Sequence, residues 1–124
     1  MVIGIDFDGT CVTHEYPIIG EDIGAVPILK KLCENNHKLI LFTMRGGIEL
    51  KYALSWFEYN NIPLYGINEN PNQKSWTDSP KAWCDLYIDD SFLFSPVKYD
   101  KNLSKNPFID WDKVEERLKL MKII

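Results

Sequence analysis

No basic run longer than a pair occurs among the 14 Lys and Arg of this 124-residue chain, and 18 Asp and Glu bring its formal charge to −4. A phosphate-backbone footprint needs clustered positive charge, so stable nucleic-acid binding is not expected. A nucleotide or a strand end as substrate stays open. Cysteine is scarce and odd in number: Cys11, Cys33 and Cys84 show no C-x-x-C spacing and no paired His. They read as reduced, mostly packed thiols and point to a cytoplasmic protein. The apolar start at Val2 meets Asp6 after four residues, too short for a signal-peptide core or a membrane span. Repeats, low-complexity tracts and linkers are missing as well. What remains is one domain over residues 1–124, 45% hydrophobic and 26% charged, able to bury roughly two-thirds of its unfolded surface.

The informative stretch is the start. Val2, Ile3 and Ile5 form a β-branched apolar run that reads as a buried strand, ending in Asp6 and Asp8 before a Gly9-Thr10 bend. Residues i and i+2 of a strand point the same way, so both carboxylates are expected to aim at one point. Two such charges ~4 Å apart repel by roughly 4 kcal/mol at an effective dielectric near 20. A hard cation with oxygen ligands would offset that repulsion. Asp side chains capping a turn are the alternative.

Cys11 to Asp22 reads as a short flap over the strand ends, at about 11–22. Ala25 to Asn35 looks helical, with Pro27 in the first turn and Asn35-Asn36 as a left-handed stop. Lys38 to Phe42 reads as a second strand ending at Thr43. Met44-Arg45-Gly46-Gly47 then leads into a helix whose stripe Ile48, Tyr52, Trp56 and Asn60, beside Ala53 and Phe57, reads as core. Leu64 to Ile67 is a weaker strand, Asn68 to Ser79 a loop, Pro80 to Cys84 a helical turn, and Leu86 to Ile88 a fourth strand stopping at Asp89-Asp90. Ser91 to Asn106 reads as an irregular surface connection. Asp110 caps a last helix, at about 111–122, with Trp111, Val114, Leu118 and Met121 on one side. Strands alternating with helices imply βαβ units, hence an α/β, three-layer Rossmann-like parallel sheet with helices on both faces.

Ligands of such sheets bind beyond the carboxyl ends of the strands. Asp6, Asp8, Thr43, Asp89 and Asp90 all fall there, with Lys74 and Lys81 shortly before the fourth strand. Each has an ordinary reading as cap, turn or solvated surface; their convergence on one rim favours a site.

The succession Asp6-Phe7-Asp8-Gly9-Thr10, Thr43, a lysine, then Asp89-Asp90 resembles the haloacid dehalogenase-like (HAD) superfamily of phosphatases and phosphotransferases, over residues 2 to about 95. Lys81 stands eight positions before the Asp pair, a spacing similar to that of small phosphatases in the superfamily, which prefers it to Lys74. The resemblance implies a HAD-like fold and a Mg²⁺-dependent phosphomonoesterase. Asp6 would be the nucleophile that forms an aspartyl-phosphate, and Asp8 the acid and then the base. Thr43 and Lys81 would hold the phosphate, with Gly9, Thr10, Arg45 and Lys74 lining the substrate. Asp6, the Asp8 carbonyl, Asp89 and Asp90 would hold Mg²⁺. The acid at Asp8 suits phosphate esters and disfavours dehalogenation.

Only 34 residues separate Asp8 from Thr43, and 37 separate Thr43 from Lys81, so neither interval holds a cap domain. Selectivity then falls to local loops, to a homo-oligomeric neighbour, or to a phosphorylated end of a larger molecule in place of a small substrate. His14, Tyr16 and Trp76 are further lining candidates, and Arg45 could grip a second anion. No membrane partner is expected. Alternatives are phosphoryl transfer to another acceptor, a non-catalytic metal- or phosphate-binding domain, and a phosphorylatable receiver. The order of the motifs disfavours the last.

Overall fold

The computed structural model describes residues 1–124. Four parallel strands, β1 (Val2–Ile5), β2 (Lys38–Leu41), β3 (Gly66–Ile67) and β4 (Leu86–Ile88), lie in the order β3-β2-β1-β4. Three helices accompany them: α1 (Ala25–Glu34), α2 (Gly47–Tyr59) and α3 (Trp111–Leu120). The architecture is α/β with a Rossmann-like parallel sheet, as expected. No helix is long and apolar enough to cross a membrane.

Ile3 pairs with Leu39 and Leu86, and Ile5 with Leu41 and Ile88. Paired residues share a sheet face, and this face merges with Leu29 and Leu32 of α1, Ala53 and Phe57 of α2, and Trp111, Val114 and Leu118 of α3 in one apolar cluster. The other face presents Gly4, Ile40 and Tyr87, and no α-helix covers it. The expectation of helices on both faces is therefore corrected. The steps β1→β2 and β2→β3 run the same way along the sheet, so right-handed crossovers carry α1 and α2 to the same side. The reverse step to β4 belongs to residues 68–85, which hold only a 3₁₀ turn at Gln73–Ser75.

That loop is stapled by buried Gln73, whose Nε2 donates to the carbonyls of Ser79 and Lys81 and whose Oε1 accepts from the Trp83 amide. Residues 80–84 are not the expected helical turn. Ala82 and Cys84 are buried while Lys81, Trp83 and Asp85 are exposed, the alternation of an extended segment. A Cβ on Gly4 would lie 2.9 Å from the Tyr87 ring and 3.1 Å from the Cys84 sulfur, so this layer packs directly on β1.

Two further corrections concern phase and pairing. In α2, Ile48 and Tyr52 are half exposed while Ala53 and Phe57 are buried; Phe7, just beyond β1, packs on Phe57 and Trp56 and sets the rotation. Met121 lies past the end of α3 and is exposed. Residues 91–106 contain β5 (Val97–Lys98), paired antiparallel with β6 (Phe108–Ile109). This hairpin and α3 brace the loop after β1: the Ile109 amide donates to the Gly9 carbonyl at 2.9 Å, and Trp111 Nε1 to the Thr10 carbonyl at 2.7 Å.

The flap folds back on itself, with the Thr13 amide donating to the Glu21 carbonyl and the Glu21 amide to Thr13 Oγ1. A Cβ on Gly20 would sit 1.9 Å from the Thr13 carbonyl oxygen, whereas one on Gly46 meets nothing within 4 Å. Gly20→Ala is therefore expected to cost about 1–3 kcal/mol in urea unfolding, and Gly46→Ala less than about 1 kcal/mol. Equal effects would contradict this packing of the flap.

Candidate active site

β1 and β4 are adjacent and parallel, so their carboxyl ends emerge side by side. Carboxylate oxygens of Asp6, Asp89 and Asp90 lie within 4.8 Å of one another. Buried Thr10 links two of them: its hydroxyl reaches Asp6 Oδ2 at 2.9 Å and Asp90 Oδ1 at 3.3 Å, and it accepts the Asp90 amide at 3.1 Å. Gly9 has φ +83°, and a Cβ there would fall 2.3 Å from Asp90 Oδ2, so only glycine lets Asp90 come this close. Ser91, which the sequence analysis passed over, donates its amide and hydroxyl to Asp89 Oδ1 at 2.9 and 2.7 Å. An Asp two residues before it is an Asx-turn signal that could have found it.

The side chain of Asp8 is not part of this cluster, which corrects the expectation that the Asp6 and Asp8 carboxylates aim at one point. Its oxygens take Arg45 Nε and Nη2, both at 2.7 Å. Arg45 is 3% exposed and also donates to the carbonyls of Pro17, Ile18 and Glu49. All five guanidinium protons are engaged. The expectation that Arg45 grips a second anion of a substrate is corrected: the carboxylate of Asp8, two residues beyond Asp6, neutralises it first. The Asp8 carbonyl accepts no main-chain hydrogen bond and stays free.

A cleft of about 520 Å³ opens over these groups, lined by Asp6, Asp8, Asp90 and Thr43 with His14, Tyr16 and Met44 at its sides. Thr43 Oγ1 accepts the Arg45 amide at 3.1 Å, leaving its proton to donate. Asn68, at the end of β3, accepts the Thr43 amide at 2.8 Å; extending the strand-terminus rule to the third strand would have flagged it. Gly9 and Thr10 are structural here rather than substrate contacts. The Gly9 amide is used by the Val12 carbonyl at 2.8 Å, and Thr10 is fully buried. Lys81 is outside the lining, exposed, with Nζ 5.8 Å from the centre of the Tyr87 ring. Lys74 lines a separate polar hollow with Asn68 and Asp78, and Trp76 stands exposed away from the cleft.

Neither a family model nor a curated protein matches the chain. Among solved structures, a conserved protein of Bacteroides thetaiotaomicron superposes with a TM-score of 0.76 at 34% identity, over 98% of this chain and 91% of that one. The chain belongs to the family of that Bacteroides protein. The kinship extends to the fold from end to end and carries no activity with it.

Burial first, then the charges of Asp89 and Asp90, push the Asp6 carboxyl up to about 8 against the hydrogen bond from Thr10. Asp90 is raised too, chiefly by burial. The donor set is all oxygen, half-buried and in excess of positive charge, which suits a hard divalent cation. Asp6, Asp89 and Asp90 lie close enough for one oxygen of each to be shared by a single such cation, which would neutralise their charge.

Folded Asp6 binds its proton more tightly than unfolded Asp6, so without divalent ions stability falls as pH rises from about 4 to about 8. In EDTA, Asp6→Asn is expected to raise the melting temperature by several degrees at pH 8 and by much less at pH 5. Equal shifts at the two pH values would show that Asp6 carries no such burden.

Proposed function

We propose that this protein is a Mg²⁺-dependent phosphomonoesterase of the capless HAD-like type, with Asp6 as the nucleophile. The observation that carries the reading is the carboxylate cluster of Asp6, Asp89 and Asp90 within 4.8 Å, with Asp6 and Asp90 bridged by Thr10 and lining an open cleft. Half-buried acids without a counter-charge are costly, and a phosphatase of this kind needs that arrangement when its cation binds.

Mg²⁺, held by Asp6, Asp89, Asp90 and the free Asp8 carbonyl, would neutralise the acids and the phosphate dianion together. Asp6 attacks phosphorus as the ester P–O bond breaks, giving an aspartyl-phosphate that water then hydrolyses. Asp8 gives its proton to the leaving oxygen and takes one back from the attacking water. Thr43 donates its hydroxyl proton to a phosphate oxygen. Lys81 is unpaired and exposed, free to turn toward a bound phosphate, and Lys74 is the other candidate. Arg45 has no donor left for a second anion, so monoesters with one charged group fit better than bisphosphates. The three unpaired thiols, two of them buried, suit a reducing compartment such as the cytoplasm.

One observation favours a second reading, a domain that binds metal or phosphate without turnover: no lysine lines the cleft. An activity screen decides between them. With Mg²⁺, the wild type should hydrolyse aryl phosphates and lose that activity in EDTA. Asp6→Asn should lower kcat by at least about 10³-fold, and Lys81→Ala should cost more than Lys74→Ala. Mg²⁺ binding without any turnover would favour the second reading, and full activity in Asp6→Asn would remove the nucleophile.

A further inference from the structure

We infer that Arg45 is a positioning residue that makes the flap and the acid Asp8 a single mechanical unit. The inference rests on the phosphatase reading for its catalytic consequence, though not for the coupling itself. Three parts of the chain meet at one guanidinium: the loop after β1 through both oxygens of Asp8, the flap through the carbonyls of Pro17 and Ile18, and the first turn of α2 through the carbonyl of Glu49. Two rings enclose it, Phe7 at 5.2 Å and Tyr16 of the flap at 5.1 Å.

No other side chain hydrogen-bonds to the Asp8 carboxylate. Its orientation over the cleft is therefore held by Arg45, and the orientation of Arg45 is set in part by the flap. Each Asp8 oxygen takes one guanidinium N–H and keeps a second lone pair, where a transferred proton can sit while the two bonds keep the carboxyl from swinging away. The planar fork matters more than the charge, because a lysine offers three donors from one point and cannot span the same five acceptors. A flap displaced from the cleft would take the carbonyl acceptors with it and leave Asp8 loosely held. Tyr16, which walls the cleft, would move at the same time.

The coupling is read without any substrate. Amide hydrogen exchange at Thr13, Ile18 and Glu21 should accelerate about tenfold or more in Arg45→Lys and also in Asp8→Asn, because the Asp8 side chain is hydrogen-bonded to the flap only by way of Arg45. Unchanged exchange in folded Asp8→Asn overturns the inference, whatever Arg45→Lys does.

Its catalytic consequence is read from leaving groups. An ester of a weakly acidic alcohol depends on proton donation, whereas a dinitrophenyl ester leaves without it. A misplaced acid should therefore cost Arg45→Lys about 30-fold or more on phenyl phosphate and less than about threefold on 2,4-dinitrophenyl phosphate. Equal losses on both esters, or full activity in Arg45→Lys, would show that Arg45 supplies only stability or charge. A wild type inactive on every ester would overturn the phosphatase reading while the exchange result still decides the coupling.

Discussion

Holding Asp6, Asp89 and Asp90 together is the demand to which the rest of this molecule answers. Like charges at such separations repel by several kcal/mol once partly removed from water, and Asp6 responds by keeping its proton up to about pH 8. The fold pushes back through the backbone: β1 pairs with β4 over three successive residues, and the Asp6 amide donates to the Ile88 carbonyl at 3.0 Å. The carboxylates are thus fixed by a sheet that the apolar cluster beneath it stabilises, and Thr10 fine-tunes their spacing.

The loop after β1 is braced from behind by elements that follow it by about a hundred residues. Ile109 and Trp111 take the Gly9 and Thr10 carbonyls, so the end of the chain sets the shape of its beginning. Asp8 is separated from the acid cluster by the same economy of contacts. Asp6 and Asp90 share Thr10, and Asp8 has Arg45. Two carboxylates two residues apart thus acquire different environments, one short of positive charge and one fully matched.

The layered plan explains the open cleft. With all three helices on one face, the other is covered by residues 68–85, whose order comes from the buried amides of Gln73 and Asn70 rather than from a helix. Asn68 at the start of that loop reaches Thr43, so the loop contributes to the rim while leaving it uncovered. Tyr16 and Met44 form what wall there is.

Local pattern was enough for the four parallel strands, for where the three helices begin and for the strand-terminal acids. Apolar runs ending in Asp, Asn-Asn stops at Asn36 and Asn61, where φ is positive, and the Asp110 cap are all properties of a few neighbouring residues. The face of the sheet on which each helix lies, the phase of α2 and the β5–β6 pair depend on crossover direction and on contacts distant in sequence, and periodicity carries neither. Arg45 shows the division most clearly. Its charge and its place just past Thr43 were legible as anion recognition, and that chemistry is what it performs. Which anion it meets, Asp8 from within the chain in place of a group on a ligand, was decided by the parallel pairing that sets β2 beside β1 and by a flap that closes over both.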